Sequence, residues 1–195
     1  MLSNISWAVG RLDETDAKQV SAMRAVAHPV RLRILSLLTG AAMSAAEIAR
    51  ELGITHANAS YHLRFLADAG TVVEAGEEKI RVGTAKRYRH PWDAKPLDPG
   101  PTPSRDDLVV YVRAMGRELE RRYAHRKPKS RGNLTDAEMW VRPEVWQQVT
   151  ALVEQAATLV HAEAKPPRTP GTIHVNMTAA VFEMTDAERA GKDGQ

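Results

Sequence analysis

The chain has no cysteine among its 195 residues, which excludes disulfide bridges and thiolate metal sites. Aromatic residues are also scarce, at 5% with two phenylalanines, so a stacking sheet for single-stranded RNA is not expected. No apolar run reaches the length of a membrane span. The opening segment MLSNISWAVGRLDETD lacks the basic-then-apolar order of a signal peptide. These absences predict a soluble cytoplasmic protein with no membrane partner. A glycine-rich phosphate loop, a nucleophile elbow and a metalloprotease histidine pair are missing too, and the seven histidines are dispersed. No enzyme activity, no catalytic residue and no cofactor are therefore expected.

What the chain does contain is concentrated between Ser44 and Gly70, SAAEIARELGITHANASYHLRFLADAG. Ser44 stands three residues before Glu47, the spacing of a capping box, and Ile48, Ala49 and Leu52 recur at helical spacing before Gly53. Thr55 is placed to cap a second helix whose Ala59, Leu63 and Leu66 form a narrow apolar stripe. That stripe points back at the first helix. Left on the opposite side are His56, Asn58, Ser60, Tyr61 and Arg64, short or planar hydrogen-bonding groups of the kind a recognition helix presents to base edges.

Residues Thr71 to Pro91 begin with a β-branched run and close on alternating Tyr88 and basic residues, which predicts a hairpin turning near Gly83 and Thr84. Lys79, Arg81, Lys86, Arg87 and Arg89 crowd its loop and returning strand, where a wing sets cations against phosphates. Upstream, a helix is expected over Asp16 to Ala27. Pro29 opens another, with Val30, Ile34, Leu35, Leu37 and Leu38 supplying the central apolar face before Gly40.

With HPVRLRILSLL at His28 to Leu38, the helix pair and the wing in register, the segment Asp16 to Pro91 resembles the winged-helix repressors of the ArsR type. The resemblance implies a dimeric bacterial transcription regulator that lays the helix from Thr55 to Ala69 in the major groove. It also brings a contrast. Metal-sensing members carry a cysteine pair in the helix before the turn, where this chain reads SAAEIAREL, and His125, His161 and Glu163 do not match the family's other metal site. No metal is expected.

Beyond the wing, WDAKPLDPGPTPS at Trp92 to Ser104 is proline-rich and aperiodic, a linker. A long helix is predicted from Arg105 to Arg126, with Leu108, Val112, Met115 and Leu119 as a dimerisation seam. The alternation of Ala137, Met139 and Val141 predicts a strand ended by Pro143. A helix then follows to about Ala164, carrying Val145, Val149, Leu152, Ala156 and Leu159, and TIHVNMTAAVFEM predicts a last strand. Met139, Trp140, Trp146 and Phe182 are the candidate lining of a pocket for a small-molecule effector.

The fold class expected is thus α+β, mainly α: a winged helix-turn-helix followed by a helix-strand-helix-strand region. Its divisions are an N-terminal arm (1–15), the winged helix (16–91), the linker (92–104), a dimerisation and effector domain (105–184) and a tail (185–195). Charge is unevenly spread: residues 1–91 hold 12 basic and 9 acidic side chains, 105–131 hold 9 and 4, and 132–195 hold 5 and 9. The favoured function is a homodimeric repressor binding double-stranded DNA at an inverted repeat. The alternative is a winged-helix interaction or ligand-sensing module that reads no DNA sequence, against which the basic wing argues.

Overall fold

The computed structural model describes residues 22–81, 83–93 and 103–185. The N-terminal arm, the first part of the helix expected from Asp16, most of the linker and most of the tail lie outside the described residues. The elements follow in the order α1 (Ala22–Val26), α2 (Pro29–Gly40), β1 (Met43–Ser44), α3 (Ala45–Leu52), α4 (His56–Asp68), β2 (Val73–Ile80), β3 (Gly83–Arg89), α5 (Arg105–Ala124) and α6 (Pro143–Ala162).

Local chemistry accounts for each boundary in the first half. His28 caps α2, its Nδ1 accepting from the Val30 N–H at 3.2 Å, and Pro29 occupies the first turn where no N–H partner is lost. The capping box expected at α3 is present: Ser44 Oγ accepts from Glu47 N and the Glu47 carboxylate accepts from Ser44 N at 2.7 Å. Gly53 ends α3 in the left-handed conformation, φ 65°, and Thr55 Oγ1 caps α4 by accepting from Asn58 N at 3.2 Å.

These elements close on one core. Met23, Val26, Ile34, Leu38, Met43, Ile48, Ala59, Leu63, Leu66 and Val72 are buried together, with Leu35, Leu37, Ile54 and Tyr88 packed at its edge. The inward stripe of α4 is complete: Ala59, Leu63 and Leu66 are fully buried. Arg33 of α2 donates to the Leu52 carbonyl at the end of α3, fixing the two helices where the turn begins.

The sheet is antiparallel in the order β1-β3-β2. The chain reverses between Ile80 and Gly83, which pair with each other, so Gly83 and Thr84 start the returning strand and do not form the turn expected there. A register shift between Glu74 and Glu77 bends the outer strand. Met43 and Ser44 add a third short strand, opposite Tyr88 and Arg87, which two residues of sequence do not announce.

After the linker, α5 packs on α1 and α2. It presents Asp107, Tyr111, Ala114 and Glu118 to them, at steps of four, three and four residues. Asp107 forms a capping box with Ser104 and an ion pair with Arg24 at 3.6 Å, and buried Glu118 accepts from Arg121 at 2.8 Å. The two C-terminal strands expected at Ala137–Arg142 and Thr172–Met184 do not form: among the described residues no strand follows β3. A strand needs a partner edge, and neither segment meets one among the described residues. Beyond α6 the chain turns back across the winged helix, so close to Gly40 that a Cβ there would lie 2.6 Å from the Lys165 carbonyl oxygen. Arg168 pairs with Glu51 of α3 and Arg122 of α5 donates to Asn176, holding this return segment against α3 and α5.

Leu63→Ala leaves a cavity at the contact between α3 and α4 and is expected to lower unfolding stability by about 2–5 kcal/mol in urea titrations. Ser44→Ala removes only a cap and is expected to cost about 1 kcal/mol.

Candidate nucleic-acid interface

The outward side of α4 is solvent-facing along its first half. Thr55, His56, Asn58, Tyr61 and Arg64 are exposed and Ser60 is half-buried. Thr55 spends its hydroxyl on the cap. Among the described residues, the side chains of His56, Asn58 and Arg64 form no hydrogen bond or ion pair with the rest of the chain. No carboxylate lies on this helix before Asp68.

Beneath this surface sits a second set of polar groups. The His28 and His62 rings stand 4.9 Å apart, Tyr61 meets His62 edge-on at 5.3 Å, and the Arg31 guanidinium lies 4.2 Å over the Phe65 ring. Burial, with the neighbouring positive charges of His28 and Arg31, holds His62 below the ordinary imidazole value. Burial and then Arg31 do the same to His28. His62 Nδ1 is buried without a hydrogen-bond partner among the described residues.

On the wing, the five cations divide into two groups. Lys86 is bound by Glu74 at 2.7 Å and Arg89 by Asp93 at 3.5 Å. Arg87 is partly buried and multiply engaged: it pairs with Glu47 at 3.1 Å and with Glu78, and donates to the Ala42 carbonyl. It therefore ties β3 to the capping box of α3. Lys79 and Arg81, at the end of β2 and the tip, are exposed and carry no ion pair among the described residues.

Between wing and helices an open cleft of about 470 Å³ is lined by Glu47, Arg50, His56, Glu78 and Ile80. Arg50 on α3 is an exposed cation beside His56 that sequence reading missed; its position on the polar side of α3 was the available signal.

The remaining sequence-predicted residues lie elsewhere. On α5, Leu108 and Val112 are exposed while Met115 and Leu119 are half-buried, so the predicted seam runs beside the face that α5 turns to its own domain. Met139, Trp140 and Phe182 are exposed, at 63%, 88% and 68%, and Trp146 is half-buried. In the single chain these four do not enclose a pocket. Among the described residues no group of three or more metal-ligating side chains comes together, and no helix is long and apolar enough to cross a membrane.

Comparison with known proteins finds that residues 26–74 match a family model described as a helix-turn-helix domain. Among solved structures the chain is similar to a crystal structure described as a possible transcriptional regulator for arsenical resistance. The two share 21% identity, over 55% of this chain and 98% of that one, with a TM-score of 0.31. No curated protein matches the chain.

Two outcomes follow from these contacts. Arg87→Ala is expected to lower unfolding stability by about 1–3 kcal/mol, as loss of a charge-assisted network does, whereas Lys79→Ala stays within about 0.5 kcal/mol; parallel urea titrations separate them. Because His28 and His62 bind protons less readily folded than unfolded, the unfolded state takes up more protons as pH falls below about 6.5. Stability from this pair is complete above that pH and is lost as pH drops through the folded values. Thermal melts from pH 8 to 5 are expected to show the decline, flattened in part by His62→Leu.

Proposed function

We propose that the chain is a sequence-specific, DNA-binding transcription regulator of the ArsR type, a homodimer that represses by occupying an inverted-repeat operator in the bacterial cytoplasm. One observation carries this reading: the outward face of α4 is polar, free of carboxylates over its first half and unbonded to its own chain at His56, Asn58 and Arg64, while its inner face is locked in the core. A duplex groove offers such a face the donors and acceptors it lacks.

The wing supplies affinity through charge. Lys79 and Arg81 are the wing cations free to neutralise phosphates, and Arg50 and Arg64 extend the positive edge along the helix pair. Asn58 reads bases directly, Ser60 and Tyr61 lie beside it, and His56 serves a base edge or a phosphate at the helix start. Repulsion of the phosphates by the wing's own carboxylates is reduced, because Glu74 and Glu78 are neutralised within the hairpin by Lys86 and Arg87. A twofold dimer is needed because one α4 covers one half-site, and two half-sites lie about 34 Å apart on one face of the duplex. The exposed side of α5, with Leu108 and Val112, supplies a seam outside the compact winged helix.

Selection of bound fragments from random duplexes is expected to return a palindrome with half-sites one helical turn, or a multiple, apart; recovery of no common sequence would overturn the reading. On the selected site, Asn58→Ala is expected to reduce discrimination by about 1–3 kcal/mol at one position of each half-site. Lys79→Ala and Arg81→Ala weaken all duplexes alike and flatten the salt dependence by about 0.9 per contact in each protomer.

A further inference from the structure

Every residue from 131 to 144 and from 170 to 185 is exposed, and over 131–142 and 172–185 the chain runs without helix, strand, turn or bend. Yet these segments are apolar: Met139, Trp140 and Val141 are consecutive in the first, which puts apolar side chains on both of its faces, and Ile173, Val175 and Met177 alternate in the second, with Val181, Phe182 and Met184 beyond. Between them α6 spans 20 residues and buries none of them. Of the 21 large apolar side chains exposed among the described residues, 14 lie after residue 130. No residue after Tyr111 joins the winged-helix core, which is filled without them.

We propose that segments 131–142 and 172–185, together with the outward apolar side of α6, interlock with the same region of a second copy of this chain, the two segments pairing as strands across the subunits. The inference rests on the dimeric reading above and adds the surface that makes the dimer. Fourteen large side chains offering roughly 60–100 Å² each amount to about 1,000 Å² per subunit, which is the size of a stable dimer interface and far beyond what a monomer ordinarily exposes in one region.

Charge matches as well. The end of α5 and the loop after it carry Arg126, Lys127, Lys129 and Arg131, while residues 132–162 and 172–185 carry Asp136, Glu138, Glu144, Glu154 and Glu183 against one cation, Arg142. None of these ten has an ion pair among the described residues. Across a twofold axis the basic end of one copy meets the acidic segments of the other, and the interface continues into the exposed stripe of α5. The contacts of Lys165, Arg168 and Asn176 with α2, α3 and α5 fix where each segment leaves its own domain. On this reading Met139, Trp140, Trp146 and Phe182 line a subunit interface in place of an effector pocket.

The test uses the full chain, with light-scattering mass and the emission of Trp140, taken as the difference between wild type and Trp140→Phe, followed on dilution. A dimer whose Trp140 emission is blue-shifted and moves red as the mass halves is expected. Ile173→Asp and Phe182→Asp are expected to raise the dimer dissociation constant about 100-fold, since each buries a charge in an apolar interface. Their circular dichroism and melting of the winged helix should be unchanged, because both side chains are already exposed in the single chain. A dimer that persists in both variants with Trp140 in water overturns this inference and leaves the dimeric reading standing on α5. A monomer at all concentrations overturns both, and a monomer with shielded Trp140 shows that the segments fold onto their own chain.

Discussion

The grip of three side chains holds the interface in place. Ala59, Leu63 and Leu66 are fully buried against Ile34, Leu38 and Ile48, and because they recur at helical spacing they fix both the axial position and the rotation of α4. Rotation is what matters for reading a groove. A helix turned by one residue, about 100°, would carry Tyr61 and Arg64, three residues apart on the outward side, toward the core. The caps at Ser44, Gly53 and Thr55 set where α4 begins, and the stripe sets which way it faces. Neither alone is sufficient, since a helix with a fixed start but a weak stripe would rock about its own axis.

The wing is joined to this frame through Arg87. Its pairing with Glu47 links β3 to the carboxylate that caps α3, so one side chain of α3 serves both helix initiation and wing placement. Such an arrangement trades a cation for rigidity. Arg87 is half withdrawn from solvent, and the wing cations without an ion pair among the described residues are Lys79 and Arg81 near its tip. The ion pairs of Lys86 with Glu74 and Arg89 with Asp93 are exposed and contribute little stability individually. Their consequence is electrostatic: they cancel charge along the stem, where Glu77 is the wing carboxylate with no ion pair among the described residues, and leave Lys79 and Arg81 near the end.

What sequence alone revealed and what it withheld divide along the range of the interactions. The caps at Ser44 and Thr55, the stop at Gly53 and the stripe of α4 are written within a few residues of one another, and local chemistry decides them. The His28–His62 ring pair, the Arg87–Glu47 bridge and the third strand at Met43–Ser44 join positions tens of residues apart, and no spacing rule connects them. On α5 the pattern was legible but ambiguous. Leu108, Val112, Met115 and Leu119 form one apolar row, whereas the domain is met by Asp107, Tyr111, Ala114 and Glu118, a row that includes two carboxylates. Those are tolerated inside because Ser104 and Arg24 take Asp107, and Arg121 takes Glu118.

The C-terminal region shows the same limit from the other side. Alternation in Ile173–Met177 states that one face of that segment is to be kept from water, and the run Met139–Val141 puts apolar side chains on both faces of the other, but hydrophobic burial has no direction and does not name the surface that does the covering. Among the described residues of the single chain nothing does. An edge with paired N–H and C=O groups must be found elsewhere if these segments are to become strands, and a solvent-exposed apolar edge left open invites promiscuous pairing. A twofold partner resolves both demands at once, since each copy brings the edge and the apolar face that the other lacks. In the dimer proposed above, the same closure also fixes how far apart the two copies of α4 stand.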